Sequence, residues 1–113
     1  MRATNIEIGG KNKRLRYDFN AVADIEVKSG KGLESLFSEQ NIGLNSIRLL
    51  LWGGLKWEDP GLTIQRTGQM IQQFIEDGNE LEDLMPYIEE AIDKSGLFGS
   101  SESSDESKNA EAE

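Results

Sequence analysis

The sequence predicts a mainly α-helical fold: a compact bundle of four to five short helices with a small N-terminal β-hairpin. Three observations lead to this prediction. Apolar residues alternate near the N-terminus around a Gly-Gly pair, they recur at helical spacing through most of residues 19–94, and turn-forming residues separate the stripes. A chain of 113 residues suffices for one such domain, which we place at residues 1–98.

The N-terminal hairpin is predicted from two short alternating segments. Ile6 and Ile8 would share one face of the first strand, and Leu15 and Tyr17 one face of the second. The Gly-rich segment 9–13 lies between them and is expected to form the turn. Because an isolated hairpin is only marginally stable in water, it should pack against helices.

The first two helices are predicted at about residues 19–29 and around residues 33–37. Asp18 suits the N-cap of the first helix, and Gly30 suits its C-terminal end. The apolar stripe predicted for the first helix consists of Phe19, Val22, Ala23 and Val27, and that for the second of Leu33, Leu36 and Phe37.

Two longer helices are predicted at about residues 45–56 and 64–76. Pro60-Gly61 forces a turn between them, and Thr63 is placed to cap the second. The apolar stripe predicted for this fourth helix consists of Ile64, Thr67, Ile71, Phe74 and Ile75.

A fifth helix is predicted at about residues 80–94, where the helical spacing is strongest. Pro86 lies inside this stripe, where it removes a backbone donor and crowds the previous turn. Two interpretations stay open: the helix kinks at Pro86, or a short turn over 80–85 leads into a helix that begins at Pro86. The stripe consists of Leu81, Leu84, Met85, Ile88, Ala91 and Ile92.

Residues 99–113 are predicted to be a disordered acidic tail. They contain no apolar residue larger than alanine, so they cannot bury enough surface to offset the entropy of ordering. Five acids and one lysine give this segment a net charge of −4, out of −9 for the whole chain.

Composition excludes several classes of chemistry. The chain has no cysteine and no histidine, so disulfides, Cys/His metal sites and His- or Cys-dependent nucleophilic catalysis are excluded. The carboxylate clusters match no calcium-binding loop pattern, and we interpret them as solvated helix faces. We therefore expect no catalytic residues, no metal, no cofactor and no enzymatic activity.

Charge and hydropathy limit the partners. An acidic chain repels nucleic-acid phosphates, and we interpret the basic cluster within residues 11–16 as a solvated hairpin tip. No apolar run approaches the ~18 residues that would span a bilayer, and the N-terminus lacks the apolar core of a signal peptide. We expect a soluble cytoplasmic protein with no nucleic-acid or membrane partner.

The third helix carries an unusual pair of glycines. Gly53-Gly54 lies between Trp52 and Trp57, although each glycine in a helix costs about 1 kcal/mol relative to alanine. The pair indicates that another element approaches this backbone closely. Each tryptophan is equally consistent with a core position and with an interface anchor, and Trp57 is the better interface candidate because it lies just past the helix beside charged residues. The candidate partner-binding residues are Trp52, Leu55, Trp57, Leu97 and Phe98.

Two segments resemble a known family, the small tail assembly chaperones of long-tailed bacteriophages and gene transfer agents. Residues 15–37, LRYDFNAVADIEVKSGKGLESLF, resemble its opening: a short strand, an Asn, an apolar helix, a Glu and Gly-Lys-x-Leu. Residues 47–71 resemble its central signature: an Arg in an apolar helix, a Gly-Leu step kept as Gly54-Leu55, Asp-Pro, and Leu-Thr opening a helix. The resemblance covers about residues 15–95. Trp57 departs from it, since a more polar residue is expected there.

The resemblance implies a non-enzymatic role. Such proteins bind the long, aggregation-prone tape measure protein in the host cytoplasm, recruit tail tube protein and are absent from the mature virion. A homo-oligomer is compatible with this prediction. An alternative from a different class is an acidic phage inhibitor that mimics DNA charge and blocks a host nucleic-acid enzyme. The net charge of −9 motivates this alternative.

Overall fold

A computed structural model describes residues 3–38 and 42–98, and it confirms the predicted fold class. Within these residues, five α-helices and a two-stranded antiparallel hairpin surround one hydrophobic core. The predicted disordered tail, 99–113, lies outside the described residues. The elements are β1 (Thr4–Ile8), β2 (Lys11–Leu15), α1 (Phe19–Ser29), α2 (Leu33–Ser38), α3 (Leu44–Leu55), α4 (Ile64–Glu76), a 3-10 helix (Leu81–Leu84) and α5 (Met85–Ser95).

The hairpin turn is tighter than the sequence analysis predicted. Ile8 pairs directly with Lys11, so the loop consists of Gly9 and Gly10 alone. Both glycines have positive φ, 65° and 75°, which a two-residue turn requires to match the twist of its strands. The prediction of a turn over 9–13 was wrong in its length, because Lys11 already belongs to β2.

The inner face of the hairpin packs as expected. Ile6, Ile8, Leu15 and Tyr17 are all buried, although Tyr17 lies just beyond the end of β2. Strand β1 contacts α4 and α5, and β2 contacts α3 and α5. The hairpin therefore covers one side of the helical bundle.

Helix α1 has the predicted ends. Asp18 accepts a hydrogen bond from the backbone N–H of Ala21 at 2.8 Å, and Gly30 ends the helix with a left-handed φ of 76°. The predicted apolar stripe was wrong for two members, since Phe19 is 74% exposed and Val27 is 80% exposed. The helix turns a neighbouring face toward α3, and it buries Ala21, Val22 and Ile25.

Helix α3 lies at the centre of the fold and contacts α1, α4, α5 and β2. It begins at Leu44, after an N-cap at Gly43, one residue earlier than predicted. A Cβ on Gly53 would lie 2.4 Å from Ile25 Cδ1, and a Cβ on Gly54 would lie 2.8 Å from Leu15 Cδ2. The predicted close approach at the glycine pair is therefore confirmed, with α1 on one side and the end of the hairpin on the other.

Two hydrogen bonds hold the end of the hairpin against α3. The backbone N–H of Arg16 donates to the carbonyl of Gly54 at 2.9 Å, which satisfies one of the carbonyls left free in the last turn of a helix. The hydroxyl of Tyr17 donates to the carbonyl of Leu50 at 2.6 Å inside the core. Burial raises the pKa of Tyr17 above its ordinary value, so the phenol keeps the proton it donates.

Helix α4 has the predicted bounds. Thr63 accepts a hydrogen bond from the backbone N–H of Arg66 at 3.0 Å. Thr67, Ile71 and Phe74 are buried as expected, whereas Ile75 is 40% exposed.

The structure resolves the alternatives at Pro86. A 3-10 helix precedes it, and Pro86 lies in the first turn of α5, where a missing N–H costs little. Glu80 and Asp83 form a capping box at the start of the 3-10 helix, in which Asp83 Oδ2 accepts from the Glu80 N–H at 3.0 Å. The second interpretation is therefore confirmed, with α5 beginning at Met85, one residue before Pro86. No helix among the described residues is long and apolar enough to span a bilayer.

We expect Gly53→Ala to lower the free energy of unfolding by about 1–3 kcal/mol, because overpacking against Ile25 outweighs the gain in helix propensity. Urea denaturation measures the change. Gly68→Ala in α4 is the matched control, since its Cβ would meet only the flexible Arg48 side chain, at 3.3 Å from Cδ. It should be neutral or stabilising. Combining Gly53→Ala with Ile25→Ala, which removes both clashing atoms, Cδ1 and Cγ1, should cost less than the sum of the single changes. Strict additivity would contradict the proposed contact.

We also expect stability to fall as pH rises above about 10. An unfolded tyrosine loses its proton near pH 10, whereas buried Tyr17 keeps it because its pKa is raised. The unfolded state then binds fewer protons than the native state, so high pH favours unfolding by up to ~1.4 kcal/mol per pH unit. Urea denaturation between pH 8 and 11 measures this. Tyr17→Phe should reduce the slope, and Tyr87→Phe at an exposed site should not. An unchanged slope in Tyr17→Phe would disprove the assignment.

Candidate functional site

The structure places one predicted partner-binding residue in the core. Leu55 is only 3% exposed, so its expected place on a docking surface was wrong. Strand β2 packs against α3, and the Arg16–Gly54 hydrogen bond draws the chain over the last turn of the helix. Leu55 therefore contributes to stability and is not accessible to a partner in this fold.

Trp52 is half-buried against the core, and its indole N–H forms a hydrogen bond within the chain. Its indole Nε1 donates to the carbonyl of Leu62 at 3.1 Å, which connects α3 to the segment before α4. Lys56 Nζ lies 5.1 Å from the centre of the ring and also pairs with Asp24 of α1. These contacts give Trp52 a clear structural role.

Trp57 is half-buried beside the basic residues of the hairpin. The guanidinium groups of Arg14 and Arg16 lie 5.2 and 5.5 Å from the centre of its ring, within the range of cation–π attraction. Its Nε1 donates to the carbonyl of Arg14 at 3.0 Å, and Arg14 also pairs with Glu58. Trp57 and Glu58 thus hold β2 to the segment that follows α3.

Leu97 and Phe98 are exposed and follow the end of α5 at Gly96. The five predicted residues therefore do not form one apolar surface. One lies in the core, two are half-buried with partners inside the chain, and two are exposed after the last helix.

An open groove between α3 and α4 is the better candidate for a functional site, and the sequence analysis did not identify it. It has a volume of about 340 Å³. Leu44 at the start of α3 is 71% exposed, and Ile75 near the end of α4 is 40% exposed. We call it the α3–α4 groove. Its lining residues are Leu44, Asn45, Arg48, Gly68, Ile71, Gln72, Ile75 and Leu81.

Gly68 gives the α3–α4 groove its shape. A Cβ at this position would come within 3.3 Å of Arg48 Cδ, so the missing side chain lets Arg48 lie close against α4. Gly68 stands inside a well-formed helix, where alanine would be about 1 kcal/mol more favourable. This isolated helical glycine is the one local signal in the sequence that could have pointed to the groove.

Arg48 is the one charged residue among the described residues that line the α3–α4 groove. Its Nη2 donates to Asn45 Oδ1 at 2.7 Å, and its Nε is buried without a hydrogen-bond acceptor in the part of the chain that the structure describes. Within residues 3–38 and 42–98, no carboxylate forms an ion pair with it. The groove therefore combines apolar walls with a guanidinium group that has N–H donors available for a further acceptor.

Two other surfaces stand out. Phe19 and Val27 are exposed apolar residues near the two ends of α1. A cleft of about 690 Å³ lies between the hairpin turn and the connection from α4 to α5, and no basic residue is among the described residues that line it. We call it the acidic cleft; its acidic lining residues are Glu7, Asp77, Glu82 and Asp83. Among the described residues, no three acids converge closely enough to hold a metal ion.

We expect Trp57→Ala to lower the free energy of unfolding by about 1–2 kcal/mol, because it removes the hydrogen bond to Arg14 and the stacked ring together. Urea denaturation checks this. Tyr87→Ala on α5 is a control at an exposed aromatic residue without a hydrogen bond in the described contacts, and it should cost clearly less. Equal losses in the two variants would contradict a structural role for Trp57.

Comparison with known proteins finds no match to a family model, to a curated protein or to a solved structure.

Proposed function

We propose that this protein is a tail assembly chaperone of a long-tailed bacteriophage or gene transfer agent. It binds the tape measure protein in the host cytoplasm, keeps it soluble and helps to recruit tail tube protein, without catalysing a reaction or remaining in the mature virion. The observation that carries the proposal is the α3–α4 groove. Three of its eight described lining residues, Arg48, Gly68 and Ile71, lie within residues 47–71, the segment that bears the central family resemblance.

The walls of the groove suit a helical client. A chaperone that prevents aggregation must cover the apolar stripe of a client helix, and a groove between two helices accepts such a stripe. Leu44 and Ile75 offer exposed apolar surface, and Ile71 and Leu81 extend it inward. Removing this surface from water would contribute about 25 cal/mol per Å² to binding.

The charge of the chain suits the same role. A net charge of −9 opposes self-aggregation and favours solubility of a complex with an apolar client. The acids of residues 3–38 and 42–98 lie outside the groove, since none of them is in its lining. Solubility and client contact are thus assigned to different surfaces.

We predict that the double variant Leu44→Gln, Ile75→Gln binds the cognate tape measure protein at least tenfold more weakly than the wild type, because two apolar contacts are lost. Purified fragments that tile the tape measure protein serve as probes in a pull-down, and affinities are measured by fluorescence anisotropy. The matched control is Phe19→Gln, Val27→Gln, which changes two exposed apolar residues on α1 and should retain binding.

The outcomes separate the surfaces. If the α1 control loses binding and the groove variant keeps it, the client site lies on α1. Trp57→Ala examines the surface first suggested by the sequence, and we expect it to reduce stability more than affinity because its indole is engaged within the chain. If the wild type retains no tape measure fragment, the proposed function is wrong.

The acidic cleft favours one second candidate, an inhibitor that mimics DNA charge. Four carboxylates from β1, the end of α4 and the 3-10 helix surround it. Such an inhibitor would displace duplex DNA from a host enzyme, and removing residues 99–113 would weaken it strongly, since that segment carries −4 of the −9 charge. Tape measure binding should survive the same deletion.

A further inference from the structure

We infer that the α3–α4 groove selects an amphipathic helix of a partner protein that carries a carboxylate placed to pair with Arg48. The identification of this partner as a tape measure protein rests on the proposed function above, whereas the carboxylate preference rests on the groove itself. The inference starts from the environment of one arginine.

Arg48 differs from the arginines of the hairpin. Arg14 pairs with Glu58, and Arg16 pairs with Asp18 at 3.5 Å. Arg48 has only the amide oxygen of Asn45 as a hydrogen-bond acceptor in the described part of the chain. A guanidinium has five N–H donors, so most of those on Arg48 stay available to an incoming acceptor.

The Nε of Arg48 is enclosed, and no described residue accepts a hydrogen bond from it. A buried donor that lacks an acceptor is unfavourable, and a charged one more so. A carboxylate that enters the groove can instead accept from the outer Nη groups, in the charge-assisted geometry that guanidinium and carboxylate groups prefer. Binding would thus give Arg48 a counter-ion that it does not have among the described residues.

Charge complementarity determines the chemistry of the occupant. Arg48 is the only charge among the described residues lining the groove, in a chain whose net charge is −9. A basic segment would bring like charges together in a desolvated space, which is strongly unfavourable. The overall negative field is screened beyond about 8 Å in physiological salt, so contact with Arg48 dominates for an acid inside the groove.

The walls define the rest of the occupant. Leu44 and Ile75 stand exposed on α3 and α4, with Gly68 opening the space beside Arg48. Two apolar side chains spaced three or four residues apart on one helix face can meet the two walls. The acid must then stand on or beside that same face, within reach of Arg48.

The test uses synthetic 16-residue helical peptides, acetylated and amidated at their ends so that terminal charges do not interfere. All share one apolar face, and the set places Glu, Gln or Lys at each successive position beside that face. Fluorescence anisotropy measures affinity for the wild-type chain, Arg48→Gln, Arg48→Lys and Arg66→Gln. Arg66 lies on the exposed surface of α4 outside the groove and is the matched control.

For at least one register, we expect the Glu peptide to bind the wild type about tenfold more tightly than its Gln counterpart, and the Lys peptide to bind most weakly. This preference should disappear in Arg48→Gln, survive in part in Arg48→Lys and remain in Arg66→Gln. The Nε–H resonance of Arg48 in an ¹⁵N-edited NMR spectrum should shift with the Glu peptide and not with the Gln peptide. A change limited to fold stability would not move this resonance selectively.

Three results would overturn the inference: no peptide binds, Glu and Gln peptides bind equally in every register, or the Glu preference persists in Arg48→Gln. Sedimentation tests a second copy of this chain as occupant. If the wild type dimerises through the groove and peptides only compete with that contact, the assignment to a partner protein is wrong.

Tape measure fragments distinguish this inference from the proposed function. If fragments bind the wild type and Arg48→Gln equally, the chaperone function stands and the carboxylate selection fails. If no fragment binds while Glu peptides bind in an Arg48-dependent way, the carboxylate selection stands and the tail assembly role fails.

Discussion

The fold depends on the absence of two side chains at the C-terminal end of α3. Gly53 and Gly54 let Ile25 of α1 and Leu15 of the hairpin come within distances that a Cβ would forbid. The same close approach lets the Arg16 N–H donate to the free carbonyl of Gly54 and the Tyr17 hydroxyl donate to the carbonyl of Leu50. A sheet of two strands is weak by itself, so its attachment to the central helix stabilises both elements.

Tight packing at one end of α3 leaves the other end open. The C-terminal half of the helix is enclosed by α1, the hairpin and the residues held by Trp52 and Trp57. The N-terminal half, with Leu44 and Arg48, borders the groove, and α4 and Leu81 of the 3-10 helix complete the described lining. The C-terminal half of α3 thus stabilises the fold, and its N-terminal half contributes to the candidate binding surface. The tryptophans, which resemble interface anchors in the sequence, therefore stabilise the fold, while the candidate site begins one turn earlier on α3, at Arg48.

Much of the fold could be predicted from local signals. Asp18 and Thr63 mark helix starts because their side chains accept hydrogen bonds from free backbone N–H groups of the first turn. Gly30 marks a helix end because glycine readily adopts the left-handed conformation that terminates the helix. Both effects are local and do not depend on the tertiary environment. The candidate site could not be predicted in the same way. Ile75 follows the apolar stripe of α4, yet its side chain is 40% exposed. Exposure depends on whether another element packs against that part of the helix, and the apolar pattern of one helix does not contain this information.

The sequence by itself determined the fold class, most helix bounds and the need for close packing at Gly53-Gly54, because each depends on interactions over a few residues. Tertiary structure decided the side of each helix that is covered. It left Phe19 and Val27 of α1 in solvent, buried Leu55 and placed Arg48 between apolar walls with no carboxylate partner among the described residues. The physical reason is that an apolar stripe shows only approximately which face of a helix is buried, to within about one row of side chains. The packing of segments distant in sequence then determines which row is covered.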